Sequence, residues 1–273
     1  MENIDPVLIL EPVAFMAFGA GTVLYWRRKR RLAGTVLLLS LIAYAGAIAL
    51  KEVIQYFTFN PFSDYFGYVS WQTGLYFGLQ TSFFEVGLAY LVARYAVGRK
   101  YMGAPDAEGY GVSLAFWENA ILLGALTFLN LVATYVIISA GLLPQSVYQT
   151  LVADNPSVFY SPQQLAVPIA FAILERVSSF LAHFAWGYLT VLGAALRKPV
   201  YVLVALPMGL IDALVPFLGN FALWQSEAMI LALSLVCLFV ALFATRGYRE
   251  GRIQPSSQGQ APVDVGAEIP SSN

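Results

Sequence analysis

Residues 6–31 read PVLILEPVAFMAFGAGTVLYWRRKRR, an apolar run of about 20 residues closed by the unbroken basic cluster Arg27, Arg28, Lys29, Arg30 and Arg31. At 1.5 Å of rise per residue, about 20 residues of helix cross a hydrocarbon core roughly 30 Å thick. Glu2 and Asp5 precede the run and the bases follow it, the reverse of a cleaved signal peptide. The expectation is an uncleaved span with its N-terminus outside. Comparable runs recur at 33–56, 72–97, 113–141, 165–196, 199–218 and 225–245. In lipid only helices and closed barrels satisfy every backbone group, and these runs are too long and too apolar for barrel strands. The fold class expected is therefore all-α: a polytopic transmembrane helical bundle of seven spans.

Composition agrees. Of 273 residues, 59% are hydrophobic and 11% charged, and the mean hydropathy is +0.67. A soluble domain carries about 25% charged residues. A single seven-helix domain over 1–253 is expected, followed by a disordered cytoplasmic tail over 254–273, rich in Pro, Ser, Gly and Gln. A net charge of −1 gives no general attraction to nucleic acid, so none is expected as a partner. The expected partners are the lipid bilayer, transmembrane peptides and other membrane proteins. The one cysteine, Cys237, permits neither an intrachain disulfide nor a cysteine metal site.

Charge sets the expected direction. Of 15 basic residues, 13 fall after spans 1, 3, 5 and 7, and the opposite loops carry Asp64 and Asp154 but no Lys or Arg. The positive-inside rule then places the N-terminus outside and the C-terminus in the cytoplasm of a multi-pass plasma-membrane protein. The external segments Thr58–Trp71 and Leu143–Gln164 read as loops, the first carrying an interfacial aromatic belt.

Charges within spans cost a few kcal/mol each, so each marks a candidate site. Lys51–Glu52 reads as a local pair near the outer end of span 2, and Glu11 as a wet position near the outer end of span 1. Glu85 lies in span 3 and Glu118, beside Asn119, in span 4. Span 5 carries Glu175, Arg176, Ser179 and His183; Arg176 and His183 are seven apart and share a helix face. Asp212 in span 6 has no neighbouring charge and needs a partner from another helix, for which Arg176 or His183 is the expected choice.

Several short segments resemble the YhfC family of intramembrane metalloproteases, within the wider group of CAAX-processing and bacteriocin-processing membrane proteases. Glu175-Arg176 followed by His183 carries the resemblance in span 5. Gly111–Gly124 is similar to the family's Gly-x-Gly-His-x-x-x-Glu-Ala segment, with Glu118 at the Glu position. Phe84-Glu85 with Tyr90 resembles its Glu-Glu-x-x-Arg-Tyr segment, and Met208 to Asp212 its His-x-x-x-Asp. Where those segments have Glu, Arg and two His, this chain has Val86, Ala89, Leu114 and Met208, and His183 is its one histidine. The seven-span, N-out topology is also similar to that of the anterior-pharynx-defective scaffold subunit of γ-secretase.

The resemblance implies a protease-like bundle that has lost most of its His and Glu set. The first reading is a non-catalytic scaffold or partner-binding protein, with Glu85, Glu175, Arg176, Ser179 and Asp212 as a buried polar network. No metal site and no cofactor are expected under it; zinc enters only with an active protease. The alternatives are an intramembrane protease in which Glu118 activates water beside His183, and a small-molecule transporter. A retinal-type receptor is excluded, since spans 5 to 7 lack a Schiff-base lysine.

Overall fold

The computed structural model describes residues 3–29 and 32–251. The expected tail over 254–273, and Arg30, Arg31 and Arg252 of the orientation argument, lie outside these. Seven helices are long and apolar enough to cross a membrane: span 1 Pro6–Arg28, span 2 Gly34–Phe66, span 3 Trp71–Gly98, span 4 Ala104–Ser139, span 5 Pro162–Ala195, span 6 Pro199–Asn220 and span 7 Leu223–Ala244. No strand occurs among the described residues.

Two external segments differ from expectation. Span 2 does not end near residue 56 but continues through Pro61 to Phe66. It stops where Gly67 adopts φ 82° and its N–H donates to the Ser63 carbonyl at 2.8 Å, a conformation open to glycine because it lacks Cβ. The aromatic belt is therefore largely helical: Phe62 stacks on Tyr76 at 4.9 Å, and Phe59 packs on Phe77 at 5.5 Å. The second segment contains a helix, Gln145–Asp154, and a 3-10 turn, Pro156–Phe159. Span 5 then starts behind a capping box, with the Ser161 N–H donating to Gln164 Oε1 at 2.9 Å.

Span 5 is the central element, packed against spans 1, 3, 4, 6 and 7. Between helices surrounded by lipid, apolar burial gives little drive, and close backbone approach through small residues replaces it. A Cβ placed on Gly187 of span 5 would lie 2.6 Å from the Gly111 Cα of span 4. One placed on Gly209 of span 6 would lie 2.5 Å from the Ser82 nitrogen of span 3. Bulky side chains such as Leu24, Ile42, Phe83, Leu129, Phe239 and Phe243 stay exposed on the outer surface, as a lipid-facing shell requires.

The helices that bring carboxylates to the interior are irregular. Span 3 widens to a π-helix over Thr81–Val86, where the Gly87 N–H donates to the Ser82 carbonyl five residues back. Span 4 does so over Trp117–Ala125, with the Leu126 N–H donating to the Ile121 carbonyl. Span 6 tightens to a 3-10 helix over Leu206–Asn220, far longer than the three or four residues usual for that form. Span 5 is an unbroken α-helix.

Candidate metal-binding and catalytic site

Glu85 and Glu118 sit in the two π-helical stretches, Asp212 in the 3-10 stretch, and Arg176, Ser179 and His183 on the regular helix of span 5. All of them, with Glu175, join one connected polar network.

His183 is its centre. The ring packs on Trp186 at 4.2 Å and presents Nδ1 to the Ser179 carbonyl at 3.0 Å. A carbonyl only accepts, so Nδ1 carries the proton and the opposite nitrogen is the functional one. Nε2 lies 2.7 Å from Glu118 Oε2 and 3.4 Å from Glu85 Oε2. It is nonetheless buried without a hydrogen bond of acceptable geometry, because neither oxygen lies along the ring N–H direction.

Both carboxylates are held by their other oxygen. Glu118 Oε1 accepts from Ser179 Oγ at 3.1 Å and from Arg176 Nη1 at 3.4 Å. Arg176 also donates to Asn119 Oδ1 at 3.3 Å and pairs with Glu175. Glu85 Oε1 accepts from Lys51 Nζ at 2.6 Å. Lys51 in turn donates to Thr81 Oγ1 at 2.9 Å and lies 3.7 Å from Asp212 Oδ2, which also accepts from the Thr81 hydroxyl. Thus Lys51 and Arg176 clamp one carboxylate each, and both Oε2 atoms turn toward the imidazole.

Two expectations are corrected here. Lys51 does not pair with its neighbour Glu52, which is exposed; its ion pairs are with Glu85 and Asp212. Asp212 pairs with Lys51, and neither Arg176 nor His183 is its ion-pair partner. Sequence reasoning misses Lys51 and Thr81 as site residues. A signal for Lys51 exists, since an intramembrane lysine needs a carboxylate across the bundle. Thr81 carries none. The four positions that depart from the family motifs are apolar core: Val86 and Ala89 are 0% exposed, Leu114 2% and Met208 6%.

Two cavities meet at the cluster. One, of about 200 Å³, opens among Tyr44, Lys51, Thr81, Glu85 and Leu122. The other, of about 120 Å³, lies between spans 5, 6 and 7 against Arg176, Leu214, Ile230 and Ser234. Glu118, His183, Trp186 and Asp212 line both. Each cavity has room for several waters and the polar partners that waters require.

The donor set can hold a metal ion. One ligand atom from each of Glu85, Glu118 and His183 lies within 4.8 Å of the other two. Three protein ligands that leave a position open are the pattern of a catalytic rather than a structural zinc site. Charge points the same way. With a neutral imidazole, the ion-paired cluster sets Lys51 and Arg176 against Glu85, Glu118, Glu175 and Asp212, leaving two uncompensated negative charges. A divalent cation at the unpartnered Nε2 offsets them, and the carboxylate-rich set suits a hard or borderline ion.

No curated protein and no solved structure matches the chain. A family model, YhfC intramembrane metalloprotease, matches residues 13–239, a range that includes every residue of the site, Lys51 and Thr81 among them. By that match over most of its length, the chain belongs to the YhfC intramembrane metalloprotease family.

Proposed function

We propose that the chain is a metal-dependent intramembrane peptidase, in which Glu85, Glu118 and His183 hold a divalent cation. The observation that carries this reading is the turning of Glu85 Oε2 and Glu118 Oε2 toward a buried His183 Nε2 that makes no hydrogen bond. A bound divalent cation, zinc first among the candidates, supplies Lewis acidity toward a carbonyl oxygen.

The protein's own groups do the rest. Lys51 and Arg176 keep the two ligating carboxylates oriented, and the Ser179 carbonyl fixes the imidazole tautomer. Asp212, 35% exposed and lining both cavities, takes a proton from water at Oδ1, since Oδ2 is engaged by Thr81 and Lys51. Trp186, Leu122 and Ile230 limit the water that reaches the cluster. The substrates in this reading are transmembrane peptides, and the orientation is N-out and C-in in the plasma membrane, on the strength of the basic-residue distribution.

The scaffold reading has its own support: Val86, Ala89, Leu114 and Met208 pack as dry core where the resembled segments carry Glu, Arg and His. One experiment separates the two. Purified protein is dialysed against Zn²⁺ or Mn²⁺, assayed for bound metal, and incubated with transmembrane peptides whose fragments are identified by mass spectrometry. One bound equivalent and cleavage, both lost in Glu118→Gln, are expected. Failure to bind either ion, with no fragment produced, refutes the peptidase and leaves the scaffold.

A further inference from the structure

The cavity between spans 5, 6 and 7 contains polar atoms that the fold leaves unused. Ser234 Oγ is 0% exposed and has no hydrogen-bond partner, although it lines the same cavity as Glu118 and His183. Arg176 lines that cavity too, and its Nε is buried and unpartnered. In a membrane interior, where stray water is scarce, each such group calls for a polar partner.

On the far side of Ile211 lies a second concavity, an apolar groove of about 310 Å³ between spans 6 and 7 lined by Val204, Pro207, Leu233, Val236 and Cys237. Ile211 lines both spaces, so one side chain stands between the groove on the outer surface and the polar cavity. Ten residues of helix occupy on the order of 1,200 Å³, taken as a cylinder about 10 Å wide and 15 Å long. The groove is too small for that. An extended chain fits, either an unwound peptide or a lipid tail. A lipid tail brings no polar group to Ser234 or Arg176, whereas an unwound peptide brings N–H and C=O groups that have lost their helical partners.

We infer that the groove between spans 6 and 7 admits an unwound, apolar segment of a membrane peptide, which passes Ile211 and satisfies its backbone on Ser234 Oγ and Arg176 Nε beside His183. The inference deepens the peptidase reading, and cleavage of the bound segment rests on that reading. Ile211 acts as the gate and Ser234 as a positioning residue.

Cys237, the chain's single thiol, reports on the groove directly. Its alkylation rate by a membrane-permeant maleimide is measured on the full chain in nanodiscs with three competitors: an apolar peptide with a central Gly-Pro pair, an equally long Leu/Ala helix, and palmitate. At a concentration ten times its Kd, the Gly-Pro peptide slows alkylation about tenfold, while the other two change it less than about twofold. Ile211→Trp, which fills the passage, abolishes the protection with metal binding intact. Ser234→Ala, which removes one oxygen and keeps the fold, raises the peptide's Kd by about tenfold, the worth of one hydrogen bond. Equal protection by the rigid helix, protection by palmitate, no protection at all, or an unchanged Kd in Ser234→Ala overturns the inference. Peptide protection in a chain that binds no metal supports the groove while refuting the metal-dependent reading.

Discussion

Replacing Lys51 by Met removes the cation held 2.6 Å from Glu85 Oε1 and 3.7 Å from Asp212 Oδ2. At an effective dielectric of about 20, unit charges at these separations attract by roughly 6 and 4 kcal/mol before desolvation is set against them. Lys51 and Glu85 are 14% and 8% exposed and Asp212 is 35% exposed, so the second attraction is the more screened. Breaking a buried pair by removing one partner costs about 3–5 kcal/mol, because the surviving charge is left uncompensated. Lys51→Met is therefore expected to lower stability by about 3–5 kcal/mol. The double variant Lys51→Met/Glu85→Gln removes both charges and is expected to cost about 2 kcal/mol less than the sum of the two single changes. Equilibrium unfolding in mixed micelles at increasing SDS fraction, followed by tryptophan fluorescence, measures all three. Lys51→Met also leaves the cluster one charge more negative, so saturating divalent metal restores stability to the single variant, by about 2.7 kcal/mol at 100 times Kd. The double variant, short of a ligand charge, recovers less. Additivity within about 0.5 kcal/mol, or a loss under about 1 kcal/mol in Lys51→Met, refutes the clamp.

The same unfolding assay tests the contact between spans 3 and 6. Gly209→Ala puts a methyl 2.5 Å from the Ser82 nitrogen and is expected to cost about 1–3 kcal/mol, whereas Gly21→Ala, with nothing within 4 Å, is neutral or stabilising. Ser179→Ala removes the hydroxyl that donates to Glu118 Oε1 at 3.1 Å, and metal affinity, read by competition with a chromophoric chelator, falls about 10–100-fold with one site retained. Metal affinity also weakens steadily as pH falls, since each ligand must be deprotonated to bind; titration calorimetry at several pH values reads this as protons released on binding. For orientation, a fluorescent protein fused after residue 251 folds and fluoresces in the cytoplasm, and an N-terminal epitope is cut by protease added outside intact cells.

The span count is legible in the sequence because lipid imposes one length and one polarity on every crossing segment. The stripe of Arg176, Ser179 and His183 is legible for a related reason: span 5 is a regular α-helix, so spacing translates directly into direction. Expectation and structure part where that translation fails. Lys51 and Glu52 are adjacent in sequence, but successive residues on a helix point about 100° apart and do not face one another. Asp212 meets a different helix from the one expected because span 6 turns at three residues rather than 3.6 over Leu206–Asn220. Five or six residues of that winding rotate a side chain by roughly 100° from its α-helical direction. Span 2 runs past its expected end because Pro61 and the aromatics around it look like a loop, although Gly67 is the residue that stops the helix.

The irregular helices also explain how one histidine holds so much of the site together. A π-helical turn takes up one residue more than an α-turn, so the helix beyond it is rotated by about 100° relative to an uninterrupted α-helix. Spans 3 and 4 use that extra residue where Glu85 and Glu118 lie, and in both the inward side chain meets a cation on one oxygen and His183 with the other. Span 6 reaches the same point by tightening rather than widening, and Pro216, which lacks an N–H for the Ala213 carbonyl, leaves Asp212 on a stretch that an α-helix could not hold unchanged. Such departures cost backbone free energy wherever they occur. Three helices carry them at the level of one central helix that carries none. Fixing register alone would require only regular helices and a hydrogen-bonded core. The convergence of carboxylates on an imidazole nitrogen left without a hydrogen bond requires the departures, and that is why the irregular turns argue for a site that binds rather than for a core that merely packs.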